Sequence, residues 1–306
     1  MSEDYRNHVY KYVSPNNIAH IFSDPEKATV KFSLPADFND PFELFLTIDF
    51  NRDPDELAFY LDLISDGLQF PTTCFSTSPI VVPMWAHYAQ NSQGFVIEFS
   101  EAKLREAFPD ARFGNVSYSD VPKRDLSELL MRAHQIKKFR YVMWLRQAIF
   151  DSAYFTKTLC WSYELERRMI VEHEATRVAG DMMLLDIPRE AVSAIICGPR
   201  ASPETAASLN QIATDIGCNF FSLRMGKSSA TPYMVDQRGM PFVAGNDEIR
   251  EAEFQCKECR EPTSEGVHRC SWCEIDDDTR QRAAGNNSFR LLQHLGLLED
   301  YIRDFR

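Results

Sequence analysis

The chain has 306 residues, 44% of them apolar with 22 phenylalanines, and a formal net charge of −12. That length allows two domains, or one large domain with an appendage, and that composition excludes a disordered chain. The charge argues against broad association with nucleic acid or an anionic membrane, while leaving room for a local basic cleft.

Met1-Ser2-Glu3-Asp4 is acidic and polar, unlike a signal peptide, and no apolar run approaches the ~20 residues of a membrane span. A soluble, cytoplasmic protein without a membrane partner is expected. In chain order, Lys11-Tyr12-Val13 ends a short strand. Ser14 and Pro15 offer an N-cap and first helical position for a helix reaching Ser23. Ala28 to Leu34 alternates, with Val30, Phe32 and Leu34 on one face, as a half-buried strand does. Glu43 to Phe50 is a second β-rich run, and Asp55 to Ile64 reads as a helix ending at Gly67. Strands follow at Thr72–Ser76 and Phe95–Ser100, around a helical turn at Trp85-Ala86-His87-Tyr88. Leu126, Leu129, Leu130, Ala133, Ile136 and Phe139 follow the 3.6-residue period and predict one helix from about Asp125 to Thr158. Tyr163 to Val171 returns to strand period, and Ala194–Cys197, Pro203–Ile216 and Asn219–Leu223 read as strand, helix, strand. Gly, Pro and charge between Gln237 and Ala252 predict a linker. The expected fold is α+β, a mixed or split β-sheet core with flanking helices. Its domain would span residues 1–236, with a linker at 237–253 and a zinc-ribbon module with a C-terminal helix at 254–306.

Of the eight cysteines, Cys256, Cys259, Cys270 and Cys273 form two CxxC pairs. Each pair brings two thiolates to one ion, and two pairs complete a tetrahedral sulfur site, with zinc the default and iron the minor alternative. His268 adjoins the second pair, but four cysteines suffice. Such a structural ion contributes on the order of 10 kcal/mol to folding, which so short a module needs. The ribbon carries Lys257, Arg260 and Arg269 against Glu258, Glu261, Glu265, Glu274, Asp276, Asp277 and Asp278. A net negative ribbon suits a structural or protein-docking role better than phosphate binding. Cys74, Cys160, Cys197 and Cys218 sit in apolar runs and read as buried small hydrophobes.

Three stretches mix charge or amide with aromatics: Phe38-Asn39-Asp40-Pro41-Phe42-Glu43, Met84-Trp85-Ala86-His87-Tyr88, and Trp161-Ser162-Tyr163-Glu164-Leu165-Glu166-Arg167-Arg168. With Cys74-Phe75-Ser76-Thr77-Ser78, Gly94 to Phe99 and Lys157, this ordered set resembles a bacterial domain family catalogued as of unknown function, over roughly residues 8–235. Its association with phage-defence and mobile-element neighbourhoods implies a defence or toxin role. The chain is also distantly similar to ADP-ribosyltransferases of the arginine–serine–glutamate type. Ser76-Thr77-Ser78 follows a strand and Glu164-Leu165-Glu166 precedes another, while Lys11 stands where that family has arginine. The Asp125–Thr158 helix is additional to the minimal transferase.

This second resemblance implies NAD as co-substrate. On a strand, Glu164 and Glu166 would share one face about 7 Å apart. One carboxylate would stabilise an oxocarbenium-like transition state and the other orient or deprotonate an acceptor. Ser76 would support them, Lys11 would meet the pyrophosphate, and Trp85, Tyr88 or Tyr12 would stack on a flat ring, with His87 beside them. Asn39, Asp40, Glu43, Lys157, Trp161 and Arg168 complete the candidates. The acceptor is a macromolecule, protein rather than nucleic acid. The structural readings stand beside these. In them the Glu-x-Glu face serves only cross-strand ion pairs, Asn39-Asp40-Pro41 a turn, His87 a helix surface, and Lys157 a partner carboxylate. A binding or sensor module on the same fold is the alternative function. A metal-dependent nuclease using Asp40, Glu43 and the late glutamates is a weaker one.

Overall fold

The computed structural model describes residues 6–40, 51–65, 69–121, 124–245 and 248–304. The fold is mixed α+β. Its strands are β1 His8–Val13, β2 Lys27–Phe32, β3 Thr72–Ser76, β4 Phe95–Ser100, β5 Arg112–Asn115, β6 Ser117–Tyr118, β7 Thr156–Lys157 and β8 Glu166–Ile170. They continue with β9 Arg177–Ala179, β10 Met182–Pro188, β11 Val192–Cys197, β12 Asn219–Arg224, β13 Tyr233–Val235, β14 Pro241–Ala244 and β15 Ile249–Glu251. The α-helices are α1 Ile18–Ile21, α2 Pro54–Ser65, α3 Val82–His87, α4 Glu101–Ala107 and α5 Arg124–Ile136. After them come α6 Phe139–Tyr154, α7 Pro203–Ile216, α8 Asp277–Gly285, α9 Ser288–His294 and α10 Leu298–Asp304.

Ten strands form one sheet in the order β15-β14-β13-β12-β11-β4-β1-β3-β8-β5. Only β11 and β12 run parallel among its described pairs, and α7 makes the crossover. That helix carries strong start and stop signals. Ser202 Oγ accepts from the Thr205 N–H, Pro203 follows, and Gly217 closes the helix at φ 79°. The centre of the sheet is covered on both faces. Phe95, Ile97 and Phe99 of β4 pack with Val9, Phe75 and Met169, while Val96 packs with Tyr10, Trp85 and Phe221 on the other side. Each fully buried side chain of this size contributes roughly 2 kcal/mol. β2 pairs with β10 in a separate three-stranded sheet; Val30 and Phe32 are buried and Lys31 exposed as the alternation predicts, but Thr29 is buried too, with its hydroxyl on Asp186 at 2.8 Å.

Several expectations are corrected. The Pro15–Ser23 helix is a 3₁₀ turn, Pro15–Asn17, followed by the four-residue α1. Ser14 gives it no side-chain cap, because its hydroxyl bonds the Gln90 side chain at 2.6 Å. The single helix from Asp125 is two, α5 and α6, reversing at Lys137 with φ 57°. No glycine or proline marks that break, and the apolar period runs through it. Residues 237–253, expected as a linker, carry β14 and β15 and extend the large sheet. The C-terminal module ends in three short helices, not one. The β-rich run from Glu43 to Phe50 and the helix stop at Gly67 lie outside the described residues.

β8 departs most from expectation. A strand from Tyr163 to Val171 with Glu164, Glu166 and Arg168 on one face was expected, yet the strand begins only at Glu166 and all five of its residues are buried, Arg167 and Arg168 completely. Arg167 donates to both oxygens of Glu101, the first residue of α4, at 2.6 and 2.7 Å, and to Asn115 of β5 at 2.8 Å. Arg105 adds a third bond to Glu101 at 2.9 Å. Arg168, on the opposite face, donates to Glu166 at 2.7 Å and to the Tyr154 carbonyl at 2.8 Å. Each buried guanidinium is thus matched in charge and hydrogen bonds, the condition for tolerating it in a core.

Arg167→Met leaves Glu101 buried with only Arg105 and is expected to cost about 4 kcal/mol in urea unfolding. Adding Glu101→Leu recovers a large part of that loss, because no unpaired carboxylate remains.

Candidate functional site

The strand register builds the site. β1 meets β3 at Tyr10–Ser76, and β3 meets β8 at Ser76–Glu166, so Tyr10, Ser76 and Glu166 form one row across three strands. Beyond that row β1 and β3 diverge. The Lys11 ammonium fills the gap, donating to the Cys74 carbonyl and to Thr73 Oγ1, both at 2.8 Å. Beside it opens a cavity of about 300 Å³. Of the residues singled out from the sequence, Lys11, Tyr12, Asn39, Ser76, Tyr88, Lys157, Glu164 and Glu166 line it. Tyr10, Lys31, Asp37 and Thr73 line it too, though the sequence marked none of them as a site residue, and so does Cys74, which it marked only as a motif member and a small hydrophobe.

The two glutamates meet through a different geometry from the one predicted. Glu164 ends a 3₁₀ helix, Leu159–Glu164, and Leu165 takes a left-handed conformation at φ 47° before β8 begins. The carboxylates are therefore not neighbours on one strand face. Lys157 joins them, its ammonium 2.6 Å from Glu164 and 3.3 Å from Glu166. The indole of Trp161 lies 4.7 Å from that ammonium and covers it. Tyr88 donates to the other oxygen of Glu164 at 2.5 Å. Ser76 supports the same residue by donating to its backbone carbonyl at 2.7 Å. Tyr118, unremarked in the sequence, accepts from the Glu166 N–H at 2.7 Å.

These surroundings separate the two acids. Burial disfavours charge on Glu166, but Arg168 and then Lys157 outweigh it and hold the carboxyl down at about 2. At Glu164 burial prevails over the stabilising Lys157 and Tyr88, and its pKa rises. Burial also lowers the pKa of Lys11, against the opposing pull of Cys74 and Glu166. The pair thus comprises one carboxyl held low and one shifted upward, environments that push two like acids apart as acid–base sites do.

Other candidates have different places. Trp85 is fully buried, with its indole N–H on the Pro79 carbonyl at 2.8 Å, and supports the wall instead of stacking on a ligand. Tyr12 packs edge-on against Trp85 and gives its hydroxyl to the Ser78 carbonyl. His87 is exposed, beside Tyr163 and outside the cavity lining. Arg168 backs Glu166 from behind and carries Phe38 against its guanidinium at 5.1 Å. Asp40 is buried away from the cavity lining, and Glu43 lies outside the described residues. The acidic set imagined for a nuclease is therefore not assembled among the described residues.

The four cysteines do assemble. Their sulfur atoms all lie within 4.8 Å of one another. Cys259 and Cys270 are 3.7 Å apart, close to the ~3.8 Å edge of a tetrahedron with 2.3 Å zinc–sulfur bonds. The Cys270 N–H points at Cys256 Sγ, 3.4 Å away, as backbone donors do around a metal thiolate. The donor set fits zinc. Glu261, counted from sequence as a surface acid, is buried and accepts from the Lys227 and Ser228 N–H groups, at 3.0 and 2.8 Å. With Trp272 bonded to the Lys227 carbonyl at 2.7 Å, it ties the ribbon to the loop after β12.

Two outcomes are expected. A folded-state pKa near 2 against an ordinary 4.5 means that Glu166 contributes stability above about pH 4.5, lost as pH falls toward 2. In urea unfolding measured across that window, Glu166→Gln, though less stable at neutral pH, shows a shallower acid limb than wild type. Atomic absorption of protein purified without chelator finds one zinc per chain, and Cys270→Ser abolishes it while releasing the ribbon to proteolysis.

No helix among the described residues is long and apolar enough to cross a membrane. Neither the curated proteins nor the solved structures contain a match to the chain. Residues 84–169, from α3 into β8, match the family described as protein of unknown function DUF2971, a segment that includes Tyr88, Lys157, Glu164 and Glu166 but neither Lys11, Ser76 nor the four clustered cysteines.

Proposed function

We propose that the cavity is the active site of an NAD-consuming enzyme, an ADP-ribosyltransferase or glycohydrolase acting as a toxin or defence effector. The observation that supports this is the convergence of Lys11, Ser76, Glu164 and Glu166, drawn from three strands and a 3₁₀ turn, on one cavity. In this reading the bond between ribose C1′ and the nicotinamide nitrogen breaks, and its electron pair neutralises the departing pyridinium. Positive charge develops at C1′, and the fixed carboxylate of Glu166 opposes it. The acceptor hydroxyl, or water, attacks C1′ and passes its proton to Glu164, whose raised pKa makes it the better base. Glu166 is the poorer proton acceptor, because both of its oxygens are held by cations. Lys11 and Lys31 supply positive charge for the pyrophosphate. The acceptor is a protein, and the acidic ribbon is a surface for docking one.

A second reading has its own support. The Ser76 and Tyr12 hydroxyls and the Lys11 ammonium are committed to backbone carbonyls, as in a cavity built to bind rather than to react. Nicotinamide release from NAD separates the two. The enzyme reading expects release by wild type and a fall of about 100-fold in Glu164→Gln. Binding of NAD by calorimetry without any release, across candidate protein acceptors, supports the binding module instead.

A further inference from the structure

The α5–α6 hairpin carries a feature that the cavity does not use. No acidic residue lies between Glu128 and Asp151, while Arg132, Lys137, Lys138, Arg140 and Arg146 all fall there, in a chain whose net charge is −12. The turn at Lys137 sets these cations among bulky apolar groups. Phe139 is 77% exposed, Trp144 56%, Met143 47% and Ile136 44%. From Ala133 of α5 to Leu145 of α6 no intervening residue is fully buried; Tyr141 and His134 lean on the cluster around Tyr60 and on Phe59, and Phe139, Met143 and Trp144 face outward. Tyr141 holds Trp144 edge-on at 5.4 Å, and the Arg140 guanidinium lies 5.0 Å from the Tyr141 ring.

We infer that this tip is a docking surface for an anionic lipid bilayer, with Phe139, Met143 and Trp144 entering the headgroup boundary and the surrounding Lys and Arg meeting lipid phosphates. Charge complementarity selects an anionic partner. Ile136 and Met143 decide among anionic partners, because aliphatic and thioether groups gain from an acyl boundary and nothing from phosphates or stacked bases. Each Lys or Arg near such a surface contributes about 1 kcal/mol, which a tip of this composition adds to its apolar burial. The tip carries five cations and no acid of its own, which sets it apart from the acidic remainder of the chain. The contact is peripheral and requires no spanning helix.

The test is co-sedimentation of the full chain with vesicles of phosphatidylcholine alone and of phosphatidylcholine with roughly 30% phosphatidylserine. Wild type pellets with the anionic vesicles, not the neutral ones, and the bound fraction falls as salt rises. Phe139→Ser with Trp144→Ser, and separately Lys137→Glu with Lys138→Glu and Arg140→Glu, each lower the bound fraction about 10-fold or more. Unchanged thermal midpoints show that the variants fold. Failure of wild type to pellet with either vesicle overturns the inference. So does equal pelleting with both, unchanged binding by the folded variants, or binding to a single-stranded oligonucleotide without binding to vesicles.

Discussion

Two adjacent arginines in the interior impose the strongest constraint on this molecule. Arg167 and Arg168 point to opposite faces of β8, and neither has access to water. A buried guanidinium left without its carboxylate is one of the larger single losses a fold can suffer. Each arginine therefore fixes a partner, Glu101 on one side and Glu166 on the other. Through Glu101 the first demand orients α4 and, through Asn115, β5. Through Glu166 the second fixes the wall of the cavity. Structural and chemical requirements thus share one five-residue strand, and the cavity inherits the rigidity of the core.

Around that strand, neutralisation is passed outward from group to group. Arg168 compensates Glu166, Lys157 bridges Glu166 and Glu164, and Tyr88 completes Glu164 at the cavity. The first acid is overcompensated and stays ionised, whereas the last is undercompensated and buried enough to hold a proton more readily. A gradient of compensation along a single chain of contacts produces two carboxyls of different character from identical side chains.

Sequence reasoning reached the elements whose signals are local. The α7 helix declares itself through Ser202, Pro203 and Gly217, the strands β3 and β4 through alternation, and the cysteine cluster through paired spacing. It failed where tertiary contacts override a local pattern. The alternation in Tyr163–Val171 was real, yet a left-handed Leu165 divides it, and no composition rule announces a left-handed leucine. The reversal at Lys137 likewise lacks a breaker residue, and the apolar period continues across it. Tyr118 and Thr73 reach the site through pairings of strands far apart in sequence, which a one-dimensional pattern does not encode. Glu261 read as one more surface acid because only the docked ribbon makes it an anchor.

The left-handed Leu165 has a consequence for how such a site can change over time. Were both glutamates on one strand, their spacing would be quantised by the pleat, and a shift of one residue would turn a carboxylate to the other face. Here a single backbone torsion at Leu165 sets where Glu164 stands relative to Glu166. Small substitutions around that residue can therefore move the outer carboxylate by fractions of an ångström while the inner one stays locked to Arg168. Descendants of this chain have a continuous dial for adjusting their chemistry, mounted on a strand that tolerates almost no adjustment at all.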